Sequence, residues 1–590
     1  MRLKYLILFI SILSFSGIQA QENYYWVGGT GIWSNLANWK TSNGITPGEV
    51  PDNGDNVIFN ENSFHQTNDT VFIYTKSAHC NNMIWENISF PVAIAGGADT
   101  TSLEINGYLL FDTLVSNVYN GTTNFTSNST GNTITMNGVK FNSDVYFNGT
   151  GEWILQDTLL AWDTVNWQIS LYDPAGDTVM PNPTIYLTKG TLDFNGQTVI
   201  SEGFSSPYVN QRHLIMENSD IYIKGDWSLV GSGLDLDAAN SLITICGNIY
   251  NSTGDGKNLV YNNVIKLPDE NGGAGTIGSF DIRAQFNVIN YLGNGVLEGD
   301  NTPGTEGYFT IDTVIFGAGM MPNNISGPVD SINYGHFMGA GDINTNGSYF
   351  HEFILDMGGK IDGKDNKMDY IYGLDVNSNM MSTTIVGEFE MEYLYFQSEG
   401  ILSSYPGETN VINEAVFAAD GWINGENIIN DLNFSSGFWY QLGMDSLTQG
   451  GNTTGTRKLQ ITNSLEILHG CNNGMTFLSS SKITGQAIIE YNGSGLTSEY
   501  LSVRDIVKTG SGTFTIDNGI DLGNNEGVII NDITPRVLYW VGGAGNWSET
   551  EHWSTVEGQT PGNECPPNIR DDIFFSDQSG LGDGNKVTID

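Results

Sequence analysis

From about residue 91 to 530 the chain alternates short apolar runs with clusters of Gly, Asn, Asp and Ser. Typical runs are Leu103-Glu104-Ile105-Asn106-Gly107, Thr133-Ile134-Thr135-Met136-Asn137-Gly138, Val145-Tyr146-Phe147-Asn148-Gly149 and Ile221-Tyr222-Ile223-Lys224-Gly225. Apolar and polar residues alternate within most runs, the period-2 mark of a half-buried strand. An Asn-Gly or Lys-Gly turn closes the run. Helical periodicity is absent, so the pattern predicts an all-β chain with almost no helix after Ala20.

A local repeat decides how the strands are arranged. Gly341-Asp342-Ile343 returns as Gly359-Lys360-Ile361, and Phe350 and Phe353 return as Met368 and Ile371. A looser third copy begins at Gly387-Glu388-Phe389. A unit of eighteen residues is too small to bury its own apolar face, but stacked units share one core. The expected fold is therefore a parallel β-helix or β-solenoid, with some twenty rungs forming a rod about 100 Å long at ~4.8 Å per rung. A string of antiparallel β-sandwiches is the other fold considered. It requires hairpin alternation and about seven strands per 100 residues, and the eighteen-residue repeat argues against it.

The ends of the chain share a second repeat. Tyr25-Trp26-Val27-Gly28-Gly29-Thr30-Gly31-Ile32-Trp33-Ser34 returns as Tyr539-Trp540-Val541-Gly542-Gly543-Ala544-Gly545-Asn546-Trp547-Ser548. Trp39 matches Trp553, and Thr46-Pro47-Gly48 matches Thr560-Pro561-Gly562, all 514 residues apart. Residues 21–90 read as a Trp/Gly cap, a small β-rich module at the N-terminus of the solenoid whose core is Trp26, Trp33 and Trp39. Residues 91–250 read as a first solenoid part, 251–300 as a loop-rich junction and 301–530 as a second solenoid part. Residues 531–590 read as the start of a second, truncated Trp/Gly cap.

Residues 1–20 read as a signal peptide. Arg2 and Lys4 precede the apolar run Leu6–Phe15, and small residues lead to cleavage before Gln21. The run is too short to span a bilayer, so the mature chain is expected to be extracellular, with no transmembrane segment. Formal charge is −44, from 66 acidic and 22 basic residues. That charge repels phosphate backbones, so nucleic acid is not an expected partner. Four cysteines, Cys80, Cys246, Cys471 and Cys565, allow three full pairings. Cys565 is expected to pair with a residue beyond Asp590.

The motif Tyr-Trp-Val-Gly-Gly-x-Gly-x-Trp-Ser, followed by a further Trp and an Asp-x-x-Ile-Phe strand, resembles the repeated modules of giant Bacteroidota surface proteins. Val503-Arg504-Asp505-Ile506 and Asp521-Leu522-Gly523-Asn524-Asn525 resemble the close of such a module. The resemblance implies an adhesin-like protein of stacked β-solenoid modules, often exported by the type IX route and in some cases associated with gliding. It carries over no catalytic residues.

Candidate chemistry is sparse. Asp342-Ile343-Asn344-Thr345-Asn346-Gly347 matches the first half of a calcium loop, making Asp342, Asn344 and Asn346 the candidate metal ligands. Position twelve, where a bidentate Glu belongs, is Phe353, and the same residues suit a solvated turn. Asp362, Asp365 and Asp369 form a second acidic turn. Asp235 with Asp237, and Glu388 with Glu390 and Glu392, would share a face on a strand, as paired glycosidase acids require. Carboxylates at i and i+2 also arise on any wet strand. Trp422, Trp439 and Tyr440 suit either stacking on sugar rings or capping the core. Asp-Thr and Asp-Ser triplets at 69, 112, 157, 163, 312 and 445 are similar to a Bacteroidota O-glycosylation signal and also suit turns. The sequence thus points to a non-catalytic secreted or cell-surface adhesin-like or structural repeat protein. It would bind glycans, other cells or solid surfaces through a β-solenoid rod, without a cofactor beyond a candidate structural calcium. A carbohydrate-active β-helix enzyme, a polysaccharide lyase or hydrolase, is the alternative.

Overall fold

The structure is a computed structural model. It describes residues 21–98, 100–161, 183–252, 258–268, 273–279, 283–299, 308–318, 323–327, 329–374, 382–443, 458–468, 475–481 and 485–589. The 1–20 signal peptide, Cys471 and the triplets at 163 and 445 lie outside the described residues. Strands take up 57% of the chain and wind into a parallel β-solenoid of about 17 turns. Some turns are longer than the eighteen-residue repeat: Ser102 stands 25 residues beyond its rung partner Ser77. Among the described residues there is no α-helix, only the 3-10 turns Leu36–Asn38 and Thr550–His552. The chain divides into two units. One holds the described residues up to Tyr222 with Leu234–Asp237; the other holds Ile223–Gly233 and the described residues from Ala238.

In the first unit a ten-stranded sheet runs from Leu234–Asp237 at one edge to Asn23–Trp26 near the other. A four-stranded sheet joins Gly31–Ile32, Thr70–Ile73, Val92–Gly96 and Val115–Tyr119. The strands of the cap are the first rungs of these sheets: Asn23–Trp26 stacks parallel on Asn56–Phe59, which stacks on Met83–Trp85. Trp39–Thr41 turns back antiparallel over the edge of Asn23–Trp26, with Trp26 opposite Trp39. This strand occupies backbone groups that would otherwise offer a pairing edge. Beneath it Trp26, Trp33 and Trp39 are 0%, 1% and 0% exposed. Their rings meet edge to face, with centroids 5.0 Å apart for both Trp26–Trp39 and Trp33–Trp39. Two of the indole N–H groups have partners, Trp26 donating to Gly29 O and Trp39 to Trp33 O.

In the second unit the eighteen-residue repeat is the rung register itself. Gly341, Asp342 and Ile343 pair with Gly359, Lys360 and Ile361; Phe350 and Phe353 pair with Met368 and Ile371. A Cβ on Gly359 (φ 148°) would lie 2.2 Å from the Gly341 carbonyl oxygen, so only glycine fits there. The third copy is placed differently from the sequence alignment. Thr383, not Gly387, stands over Gly359, and Gly387 stands over Gly363. Twenty-four residues separate Gly359 from Thr383, where eighteen separate Gly341 from Gly359, so the repeat spacing no longer equals the register. The stretch 251–300, glycine- and asparagine-rich, carries the strands Leu259–Lys266, Gly273–Ser279, Arg283–Tyr291 and Asn294–Gly299.

Residues 537–588 repeat the fold of the N-terminal cap. Val537–Trp540 pairs antiparallel with Trp553–Ser554, Trp540 opposite Trp553, and parallel with Asp572–Phe574. Trp540 donates to Gly543 O and Trp553 to Trp547 O, as in the first copy. The copies differ along one strand, where Ile58 is 8% exposed and its counterpart Phe574 48%. Val57 and Phe59 are fully buried beneath Met83–Trp85, whereas their counterparts Ile573 and Phe575 are 36% and 50% exposed. Cys565 is disulfide-bonded within the chain, contrary to the expected partner beyond Asp590. Cys80 is a buried free thiol whose pKa burial pushes up.

Candidate functional site

A tyrosine and carboxylate face runs across five adjacent strands of the second unit. It lies on Ser331–Phe337, Tyr349–Leu355, Gly359–Gly373, Thr383–Phe396 and Thr409–Phe417. Their inward residues, such as Phe337, Phe353, Ile371, Leu394 and Ala415, are fully buried and fix the register. That leaves Tyr334, Glu352, Tyr370, Tyr393 and Glu414 pointing outward in one continuous rung-to-rung row. Five strands at ~4.8 Å spacing make this row about 19 Å long. Two residues on, His336, Ile354, Tyr372 and Tyr395 form a parallel row.

The phenols pack loosely, with centroids 6.4 Å apart for Tyr370–Tyr393 and 5.8 Å for Tyr372–Tyr393. Tyr370 is 41% exposed. Burial raises the pKa of Tyr334, Tyr372 and Tyr393, with help from Glu352 beside the first two and Glu414 beside the third. These phenols therefore remain neutral hydrogen-bond donors. His336 Nε2 lies 2.8 Å from Asp356 Oδ2, and His351 Nδ1 lies 2.7 Å from Asp369 Oδ2. Burial pushes Asp369 upward, but hydrogen bonds from Tyr349 and His351 outweigh it, and its pKa is lowered. The face thus offers flat aromatic surface beside fixed acceptors and phenolic donors, which suits sugar rings with their hydroxyls.

Other sequence candidates fall in several places. Asp342, Asn344 and Asn346 lie on the extended strand Gly341–Asn346, directed outward in alternation with buried Gly341, Ile343 and Thr345. They form a row, and Asn346 Oδ1 accepts from Lys364 N. Asp362 is bonded by Lys360 and Tyr405, and Asp365 sits at a bend with φ 56°. Glu388, Glu390 and Glu392 alternate outward along Thr383–Phe396. Trp439 is 58% exposed, Trp422 is half-buried with its indole on Gln441, and Tyr440 is core. In the Asp-Thr triplets, Asp69, Asp112 and Asp157 accept backbone N–H groups at turns.

Asp235 and Asp237 share the exposed face of Leu234–Asp237 in the first unit. The adjacent strand brings His213 to Asp237, Nε2 to Oδ2 2.7 Å. This His–Asp pair, separated by 24 residues, was not found from sequence. Glu549, Glu551 and His552 group in the second cap closely enough to hold a metal ion. His552 Nδ1 is already bonded to Val541 O and Nε2 lies 3.3 Å from Glu549.

No protein-family model, curated protein or solved structure matches this chain. Among the described residues no helix is long and apolar enough to cross a membrane.

Proposed function

We propose that this chain is a non-catalytic, secreted or cell-surface adhesin-like repeat protein that binds glycans on the outer face of its β-solenoid. The observation that carries the reading is the in-register row Tyr334–Glu352–Tyr370–Tyr393–Glu414. A row of stacking surfaces spaced by the rung repeat suits a linear polymer, whose successive rings bind weakly and together. Repetition of the Trp/Gly cap supports the same reading, since repeats multiply contacts but add nothing to a single active site. The alternative, a polysaccharide lyase or hydrolase, draws support from His213, Asp235 and Asp237.

Incubating the purified protein with plant, algal and bacterial polysaccharides, with calcium and with chelator, separates the two. The adhesin reading predicts retention on at least one polymer without new reducing or unsaturated ends. Product formation lost on Asp237→Asn replaces it with the enzyme reading. A response of retention to chelator identifies a role for calcium, with Asp342, Asn344 and Asn346 the first residues to mutate.

A further inference from the structure

The corner between two turns of the second unit holds a lysine where apolar residues are the rule. Lys266 ends the strand Leu259–Lys266 and is flanked in register by Ile245 and Tyr291. It is 0% exposed, and among the described residues it has no ion pair. Its Nζ donates to the Gly247 carbonyl. The next residue, Asn248, has its side-chain amide held at both ends. Oδ1 accepts from Thr276 N at 2.9 Å, and Nδ2 lies 3.3 Å from Asp226 Oδ1, which also accepts Asn248 N at 2.8 Å. Gly275 keeps the space between them open: a Cβ there would lie 3.2 Å from both Lys266 Nζ and Asn248 Oδ1.

These groups are the parts of an acyl transfer. Loss of hydration lowers the Lys266 pKa to about 7, so much of the amine is the neutral nucleophile at neutral pH. The amide carbonyl already faces a backbone N–H, the group that would hold its developing negative charge. A carboxylate stands at the leaving nitrogen.

We propose that Lys266 and Asn248 join in an intramolecular amide cross-link, with Asp226 as the proton carrier. Lys266 Nζ attacks Asn248 Cγ and forms the N–C bond, while Oδ1 takes the electron pair and is held by Thr276 N–H. Asp226 relays the proton lost by Nζ to Nδ2. The carbonyl reforms, the Cγ–Nδ2 bond breaks, and ammonia leaves past the exposed Asp226. A primary amine and a primary amide become one secondary amide and ammonia, with no change in oxidation state. The bond ties two successive turns, so that they cannot separate when the solenoid is pulled.

Mass spectrometry of peptides from the purified full chain tests this. The expected product is one branched peptide carrying residues 248 and 266, lighter by one ammonia than the two separate peptides. Cyclisation of Gln21 or a succinimide also loses ammonia, but leaves these peptides separate. Wild-type protein yielding separate peptides, with the Lys266 amine reactive after unfolding, overturns the proposal. Asp226→Ala should retain the β circular dichroism yet leave most chains unlinked. Linkage of that variant at the wild-type rate would remove Asp226 from the chemistry, and Lys266→Met should give separate peptides.

Discussion

Three indoles meeting edge to face leave little freedom to repack, so the core of the N-terminal cap should respond sharply to truncation. Trp39→Ala removes the ring that touches both Trp26 and Trp33 and should cost about 3–5 kcal/mol, read as a lower thermal or denaturant midpoint. Unchanged melting would place these residues outside the core. Gly359→Ala should lower the midpoint through a backbone clash, by about 1–3 kcal/mol, because its Cβ meets the Gly341 carbonyl. Asp369 makes a pH prediction. Its folded pKa lies below the ordinary value, so its stabilisation is complete above the unfolded carboxylate pKa of about 3.9 and lost as pH falls through the lower folded value. Asp369→Asn should therefore flatten part of the acid-side loss of stability, measured by denaturant unfolding across that range. The tryptophans were legible because rare residues recurred at one spacing. The tyrosines were not: Tyr370 and Tyr372, like Tyr393 and Tyr395, form i, i+2 pairs that resemble ordinary strand composition. Only register aligns them.

At the scale of the element, strand identity was legible from period-2 alternation, and the eighteen-residue repeat gave the register of two rungs. It failed at the third, where the rung spacing is 24 residues and Gly387 stands over Gly363. The His213–Asp237 contact was hidden for the same reason, since it needs the pairing of Ile215 with Asp237. The register also predicts that one rung can be removed. Deleting residues 341–358 brings Gly359 and Lys367 to the positions held by Gly341 and Tyr349. In a fold stabilised by neighbouring repeats this deletion should leave β circular dichroism and a cooperative melt. Loss of folding would show that this rung does more than stack.

For the whole molecule, the charge of −44 sets the kind of partner. A field of that sign disfavours polyanions, and salt screens it beyond about 10 Å at 0.1 M. Neutral polysaccharides should be retained better than acidic ones at low salt, and the difference should narrow as salt rises. An acidic polymer retained best at low salt would contradict this. If the chain binds glycan as proposed, the tyrosine row, not the charge or the fold alone, holds it. The most direct measurement is retention of Tyr370→Ala/Tyr393→Ala, compared with the wild-type chain, on the polysaccharide that the wild type binds. Unchanged β circular dichroism and melting are expected with a loss of affinity of about tenfold or more, since two aromatic contacts of about 0.5–1.5 kcal/mol each are removed. Retention equal to wild type by a folded double variant would contradict it.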